Sequence, residues 1–307
     1  MNGFLCILKP PGMTSAAVVA VVRRLSGEKR VGHAGTLDPE AAGVLPVMIG
    51  RAARLFDYLV DKQKTYVAEV AFGSATDTQD ATGRVTARGG DYPSLARVRE
   101  AADRLTGDIW QRPSMYSAIK QDGRPMYARA RAGETVEVPL RRVHVERIAL
   151  HGETPRHGVL MTVDCGKGTY IRSICNDLGE LCGCPAHMRF LLRTRSGAFT
   201  LEDAFTLEEA QAHADQGTLA QCLVPMDAPL AHIPRVDAPA WLDRLVRNGV
   251  KLPAEKLRGA TELCEGQAAR VYLHGSFWGM AAREGDALVW RALIPPEEAQ
   301  KGESPCE

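Results

Sequence analysis

The chain has 307 residues, of which 45% are hydrophobic and 24% charged, and 38 Lys and Arg stand against 37 Asp and Glu for a formal net charge of +1. That length and apolar content suffice for one large domain plus a small one, and they exclude a chain that is disordered over most of its length. No apolar run approaches a membrane span, the opening apolar run is too short for a secretory signal, and eight scattered cysteines suit reduced thiols, so a cytoplasmic protein without a membrane partner is expected.

From the N-terminus, Thr14 or Ser15 can cap a helix whose apolar positions Ala17, Val18, Val21, Val22 and Leu25 follow helical spacing, with Gly27 as its stop. The loop beyond reads Gly32-His33-Ala34-Gly35-Thr36-Leu37-Asp38-Pro39-Glu40-Ala41-Ala42-Gly43. Pro39 biases Asp38 toward extended backbone, and the glycines permit sharp turns and the close approach of a ligand. The same residues also read as an N-cap Asp, a proline at the first helical position and a short helical turn. On their own they leave a presented, reactive carboxylate and plain capping both open.

Further along, alternation places Tyr66, Ala68, Val70 and Phe72 on one face of a strand. Ser94 starts a helix through Leu95, Val98, Ala102 and Leu105, ended by Gly107, and residues 143–150 and 158–164 read as strands. Helices and strands mix without a regular β-α-β rhythm, which predicts an α+β fold with an antiparallel or mixed sheet. Thr206-Leu207-Glu208-Glu209 is a capping box, and Pro225, Pro229, Pro234 and Pro239 punctuate a linker-like stretch that puts a domain boundary near residue 232. Residues 233–295 combine a short helix around Trp241 to Val246 with hairpin signals at Gly275-Ser276 and Glu284-Gly285-Asp286, and residues 296–307 are acidic and expected to be disordered.

The near-zero net charge hides segregation. Residues 112–147 hold eight Lys or Arg against four acids, whereas 196–230 hold six acids and no Lys or Arg. A polyanion suits the first region and is repelled by the second. Cys175, Cys182, Cys184 and His187 cluster in sequence but lack paired C-x-x-C knuckles, so no metal site is expected. Gly166-Lys167-Gly168-Thr169 lacks the leading glycine and spacing of a phosphate-binding loop, which sets nucleotide hydrolysis aside.

The Asp38 run fits the pattern G-H-x-G-x-L-D-P-x-A-x-G at every specified position. In order along the chain come Lys9-Pro10-Pro11-Gly12-Met13-Thr14-Ser15, Lys64-Thr65-Tyr66 with Thr76-Asp77-Thr78 and Asp80-Ala81-Thr82-Gly83, Pro113-Ser114-Met115-Tyr116-Ser117-Ala118-Ile119-Lys120, and Gly166-Lys167-Gly168-Thr169-Tyr170-Ile171-Arg172. Together they make the chain, over about residues 3–200, resemble the bacterial tRNA pseudouridine synthase B family. The resemblance implies a pseudouridine synthase catalytic domain over 1–232, with an inserted RNA-clamping arm at about 117–140 lined by Arg124, Arg129 and Arg131. It also implies a small β-rich, PUA-like RNA-binding domain over 233–295.

The implied reaction converts uridine 55 in the T loop of tRNA to pseudouridine, with base flipping and no cofactor. Asp38 is then the carboxylate that either forms a covalent adduct or abstracts a ribose proton, and Arg172 is its pairing partner. Burial should raise the pKa of such a carboxylate unless that opposite charge compensates. By the same resemblance Tyr66 stacks on the target base and serves catalysis by relaying the proton that leaves C5, Tyr170 and Leu191 wall the pocket, His33 fills the gap left by the flipped base, and Lys9 and Asp77 shape the site. The implied partner is the tRNA T stem-loop, bound by a monomer with no obligatory protein partner. The competing expectations are a catalytically silent tRNA-binding chaperone and a guide-dependent, dyskerin-like synthase.

Overall fold

The computed structural model describes the chain except residues 61–62, 117–119, 122–123, 132–133, 135–137 and 297–307. Parts of the expected arm, with the side chains of Arg124 and Arg131, and nearly all of the expected disordered tail lie outside the described residues.

Local signals set the first helix, Ser15–Ser26. The Thr14 side chain accepts from the Ala17 N–H, and Gly27 closes the helix in the left-handed region at φ 66°. The capping box at Thr206 and Glu209 likewise opens the helix Leu207–Asp215. The helix Leu95–Arg104 is capped by Ser94 but stops earlier than the spacing predicts: Leu105 already leaves helical geometry, and Gly107, at φ 91°, begins the next strand. No helix forms at Asp38. Asp38 O accepts from the Ala41 N–H to close a turn over Pro39 and Glu40, and the chain then enters the strand Ala42–Ile49, whose pairing outweighs the capping preference.

Among the described residues the main sheet has nine strands. Its path runs Gly3–Lys9, Ala42–Ile49, Ala186–Ser196, Lys64–Phe72, Gly158–Cys165, Arg141–Thr154 and Gly107–Gln111. Every neighbour pair on it is antiparallel except Ala42–Ile49 with Ala186–Ser196, so the sheet is mixed and the fold α+β, as expected. Tyr66, Ala68, Val70 and Phe72 all face the buried core, together with Val18 and Val22 of the first helix and Ile174 and Leu178 of the helix Ile171–Cys182.

A second, five-stranded sheet runs Arg235–Ala238, Ala268–Leu273, Ser276–Glu284, Ala287–Leu293 and Leu252–Pro253. The hairpin between its second and third strands turns through His274 and Gly275, both at positive φ (51° and 77°), the geometry a two-residue turn needs to match strand twist. It has its own core around Val236, Leu242, Val271 and Trp278. A further apolar cluster joins the two sheets. Met280, Ala292 and Ile294 pack with Phe4, Val44, Leu55, Phe199 and Leu230, and Tyr272 donates its hydroxyl to Asp227 at 2.7 Å across the same junction.

The sequence cluster of cysteines resolves into separate environments. Cys175 is fully buried, Cys182 Sγ points to the Arg97 carbonyl, Cys184 Sγ to that of Gly89, and His187 Nδ1 lies 2.8 Å from Ser74 O.

Candidate active site

The Asp38 loop is fastened from behind, with every carbonyl from Gly35 to Pro39 hydrogen bonded. Arg193 Nη2 donates to Gly35 O at 3.1 Å and Nη1 to Thr36 O at 3.4 Å. Ser15 Oγ donates to Leu37 O at 3.0 Å and accepts from the Leu37 N–H at 2.9 Å. The Ala41 N–H serves Asp38 O, and the Gly12 N–H and Lys9 Nζ both serve Pro39 O, at 2.9 and 2.8 Å. Lys9 is fully buried and spends its remaining hydrogens on Pro10 O and Met13 O. Gly43 makes the close approach possible: it lies beside Arg193 in the parallel pairing of the main sheet, and a Cβ there would stand 2.1 Å from Arg193 O.

In front of this loop lies a cavity of about 270 Å³ lined by Asp38, Tyr66, Tyr170, Arg172, Leu191, Arg193, Lys64 and Lys167, with the loop backbone at Gly35–Leu37. Arg172, second residue of its helix and 4% exposed, grips Asp38 with two parallel contacts, Nε to Oδ2 at 2.9 Å and Nη2 to Oδ1 at 3.2 Å. Its other hydrogens go to Thr78 O and Tyr116 O, and Asp80 Oδ2 stands 3.7 Å from Nη1. A guanidinium held in this way is planar, fixed and matched to a carboxylate.

Burial pushes the Asp38 carboxyl above the ordinary carboxylate range. The Arg172 charge and the Lys9 ammonium pull it back, and the Asp80 carboxylate adds to the rise. The Tyr66 phenol is raised by burial as well, opposed by the Arg193 guanidinium. Tyr66 and Arg193 face each other across adjacent strands, and Leu191 opposes Ala68 on the same face.

Tyr170 stands at the N-terminus of the helix that carries Arg172. Buried Gln111 clamps its backbone both ways, Oε1 accepting from Tyr170 N–H at 3.0 Å and Nε2 donating to Tyr170 O at 3.3 Å. Met115, Met126 and Val138 pack with Tyr170, so the roots of the arm segment border the cavity. Arg129 pairs with Glu134 at 2.8 Å.

Asp38, Tyr66, Arg172, Tyr170 and Leu191 thus converge on one cavity, whereas Lys9, His33 and Asp77 do not line it. Lys9 braces the loop from behind. His33 pairs with Val47 in the sheet; its Nδ1 is buried without a partner among the described residues, and burial lowers its pKa. Asp77 belongs to the neighbouring turn, where Oδ1 accepts from the Arg84 N–H. The second acid near Arg172, after Asp38, is Asp80 of the Asp80-Ala81-Thr82-Gly83 run. Arg193 is also absent from the sequence reading, although two-residue periodicity from Leu191 puts it on the cavity face.

Two family models match the chain: TruB family pseudouridylate synthase (N terminal domain) over residues 23–171, and tRNA pseudouridylate synthase B C-terminal domain over residues 172–231. The protein named tRNA pseudouridine synthase B of Geobacillus kaustophilus is 44% identical over 84% of this chain and 95% of its own length. That of Bacillus subtilis is 41% identical over 98% of this chain and 95% of its own. Among solved structures, a chain of a Cbf5-Nop10-Gar1 complex superposes with a TM-score of 0.74 at 26% identity, covering 96% of this chain and 86% of that one. With the two models together matching residues 23–231, which include the Asp38 loop and the helix of Arg172, and with relatives above 40% identity over most of the chain, the chain belongs to the TruB family of pseudouridylate synthases.

Proposed function

We infer that the chain is an isomerase that converts uridine in tRNA to pseudouridine, and we propose that its target is the T-loop uridine at position 55, reached by flipping the base out of the folded loop. The observation that carries the reading is the Asp38 carboxylate, held by two contacts from buried Arg172 at the wall of a cavity of about 270 Å³. That volume lies at the small end of ligand pockets and suits one nucleoside rather than a stretch of folded RNA.

In this reading Tyr66, Tyr170 and Leu191 flank the uracil, and Asp38 acts at the ribose. The C1′–N1 bond breaks with its electron pair leaving on N1. Asp38 either bonds to C1′ and is displaced when C5 joins there, or takes the proton from C2′ and returns it as C1′ joins to C5; the base turns between the two steps, the C5 proton is lost and N1 gains one. Atoms and electrons balance as an isomerisation, so the site's side chains can fill every role without a redox partner or a spent phosphate. The likeness to a Cbf5-Nop10-Gar1 chain favours a second reading in which partner proteins and a guide RNA select the uridine. The relatives named tRNA pseudouridine synthase B, at 41–45% identity, support the standalone enzyme.

The test is to incubate the purified chain alone, with chelator and without nucleotide, with unmodified tRNA and to map pseudouridine by position. Pseudouridine at position 55 is the expected result. Its absence unless guide RNA and partner proteins are added would establish the second reading.

A further inference from the structure

The cavity holds two buried arginines in contrasting states. Arg172 is neutralised by Asp38. Arg193, 1% exposed, gives Nε to Val44 O at 2.8 Å and its Nη atoms to Gly35 O and Thr36 O, and among the described residues no carboxylate forms an ion pair with it. A buried cation served by three carbonyls and the Tyr66 phenol, all neutral, has lost its hydration without regaining a counter-charge, a cost that a purely structural role does not require, since neutral donors could bind the same groups. Its hydrogen bonds to three carbonyls leave guanidinium hydrogens over, it lines the cavity, and it stands directly opposite Tyr66. Lys64 and Lys167 line the same cavity.

We propose that Arg193 supplies the positive charge that stabilises the uracil anion released when the C1′–N1 bond breaks. The inference rests on the pseudouridine synthase reading and adds to it the group that meets the departing base. When the bonding pair moves onto N1, the negative charge spreads to O2 and O4 of the ring. A fixed guanidinium in a water-poor cavity lowers the energy of that anion more than that of neutral uridine, which is the condition for accelerating the step. As the same guanidinium also holds the loop of Asp38, the group that acts at the ribose and the group that receives the base keep one spacing.

The experiment compares single-turnover rates of C1′–N1 cleavage, read as loss of the N-linked nucleoside, on two tRNAs, one with uridine and one with 5-fluorouridine at the target; the fluorinated ring has no C5 proton to lose, so pseudouridine formation is not the readout for it. Fluorine stabilises the N1 anion, so a substrate that carries it needs less help from the protein. Arg193→Gln keeps donors for the carbonyls and removes the charge; Arg193→Lys keeps the charge. Arg193→Gln is expected to lose about 100-fold on uridine but only about tenfold on 5-fluorouridine, with Arg193→Lys within about tenfold of the parent on both. Equal losses on the two substrates, or Arg193→Lys as impaired as Arg193→Gln, would overturn the proposal and leave Arg193 as a brace for the loop. Should melting show Arg193→Gln unfolded, Arg193→Met, apolar at a buried site, carries the same comparison. Formation of pseudouridine by the parent protein tests the underlying reading separately.

Discussion

The Asp38 loop and the C-terminal sheet are both fastened to the nine-stranded sheet, by opposite means. The loop is tied through its carbonyls to Ser15, Lys9 and Arg193, all buried polar side chains. The C-terminal sheet is tied mainly by apolar surface, Met280, Ala292 and Ile294 against Phe4, Leu55, Phe199 and Leu230. Hydrogen bonds are directional and modest in net free energy, whereas apolar burial is non-directional and supplies most of the stability. Substitutions at the loop should therefore cost rate and leave stability nearly intact, and substitutions at the junction should do the reverse.

The sharpest way to break that contrast is Asp38→Asn. The amide keeps the shape of the turn but cannot act as nucleophile or base, so tritium release from C5-labelled uridine in tRNA should fall on the order of 10⁴-fold or more, to background. Burial already opposes the ionised Asp38, and Arg172 keeps Thr78 O, Tyr116 O and the nearby Asp80 carboxylate, so the loss of the Asp38 charge should change stability only modestly. Near-parental turnover would remove Asp38 from the mechanism, and an unfolded variant would make the loop a stability element after all. Next comes Arg172→Lys. It preserves charge but loses the fork that spans both Asp38 oxygens, and a drop of about 100- to 1,000-fold in single-turnover rate with tRNA binding retained is expected. Equal losses of rate and binding would make Arg172 an RNA contact instead.

How much of this was legible beforehand follows the same division. Thr14, Gly27 and the Thr206 and Glu209 box are local devices, and they specify their helices in the chain itself. Asp38 shows where local reasoning stops: its cap-like context lost to the strand pairing of Ala42–Ile49, a contact between distant segments. The convergence of Asp38, Tyr66, Tyr170, Arg172 and Leu191 on one cavity was accessible only through resemblance, because their spacing spans most of the catalytic region. The clamps were least visible. Arg193 reaches Thr36 and Gly35 from 157 and 158 residues away, and Gln111 holds Tyr170 from 59. A buried arginine or glutamine looks like a surface residue in sequence until its carbonyl partners are known. The C-terminal strands and hairpin turns were signalled, but the apolar cluster that joins them to the main sheet was not, since nothing in Met280 or Ile294 names the opposing surface.

At that junction Met280→Ala is the counterpart test. Met280 is fully buried in the shared cluster, and its truncation should cost about 2–4 kcal/mol by denaturant unfolding. Single-turnover chemistry at saturating enzyme should stay within about threefold of the parent at a temperature where the variant is folded. By the same packing, removing residues 233–307 would expose Phe4, Leu55 and Phe199, so loss of stability is expected ahead of any effect on RNA affinity. If Met280→Ala slowed the chemistry while leaving unfolding unchanged, the division between rate and stability would be wrong.

The smallest effect expected is on pH dependence, and it separates two forces on Lys9. Burial pulls this lysine from its ordinary 10.5 down to about 8, while its three carbonyl partners favour the charged form. Loss of the proton leaves the amine with two hydrogens for three acceptors, so one tie behind the Asp38 loop is released. Turnover should fall modestly, less than about tenfold, as pH rises through about 8, and the alkaline limb should vanish in Lys9→Met. Stability should move the other way. Below about 8 folded and unfolded chains both hold the proton, and between there and 10.5 the unfolded chain retains a proton that the folded one has lost, so this group makes the fold more stable with rising pH. At the acid end the raised pKa of Asp38 should place the loss of activity above the ordinary carboxylate range, since the reaction needs the ionised form. A rate profile flat through pH 8 would show that the three carbonyls hold the Lys9 proton against burial, and the loop would then be as firmly tied in alkali as at neutrality.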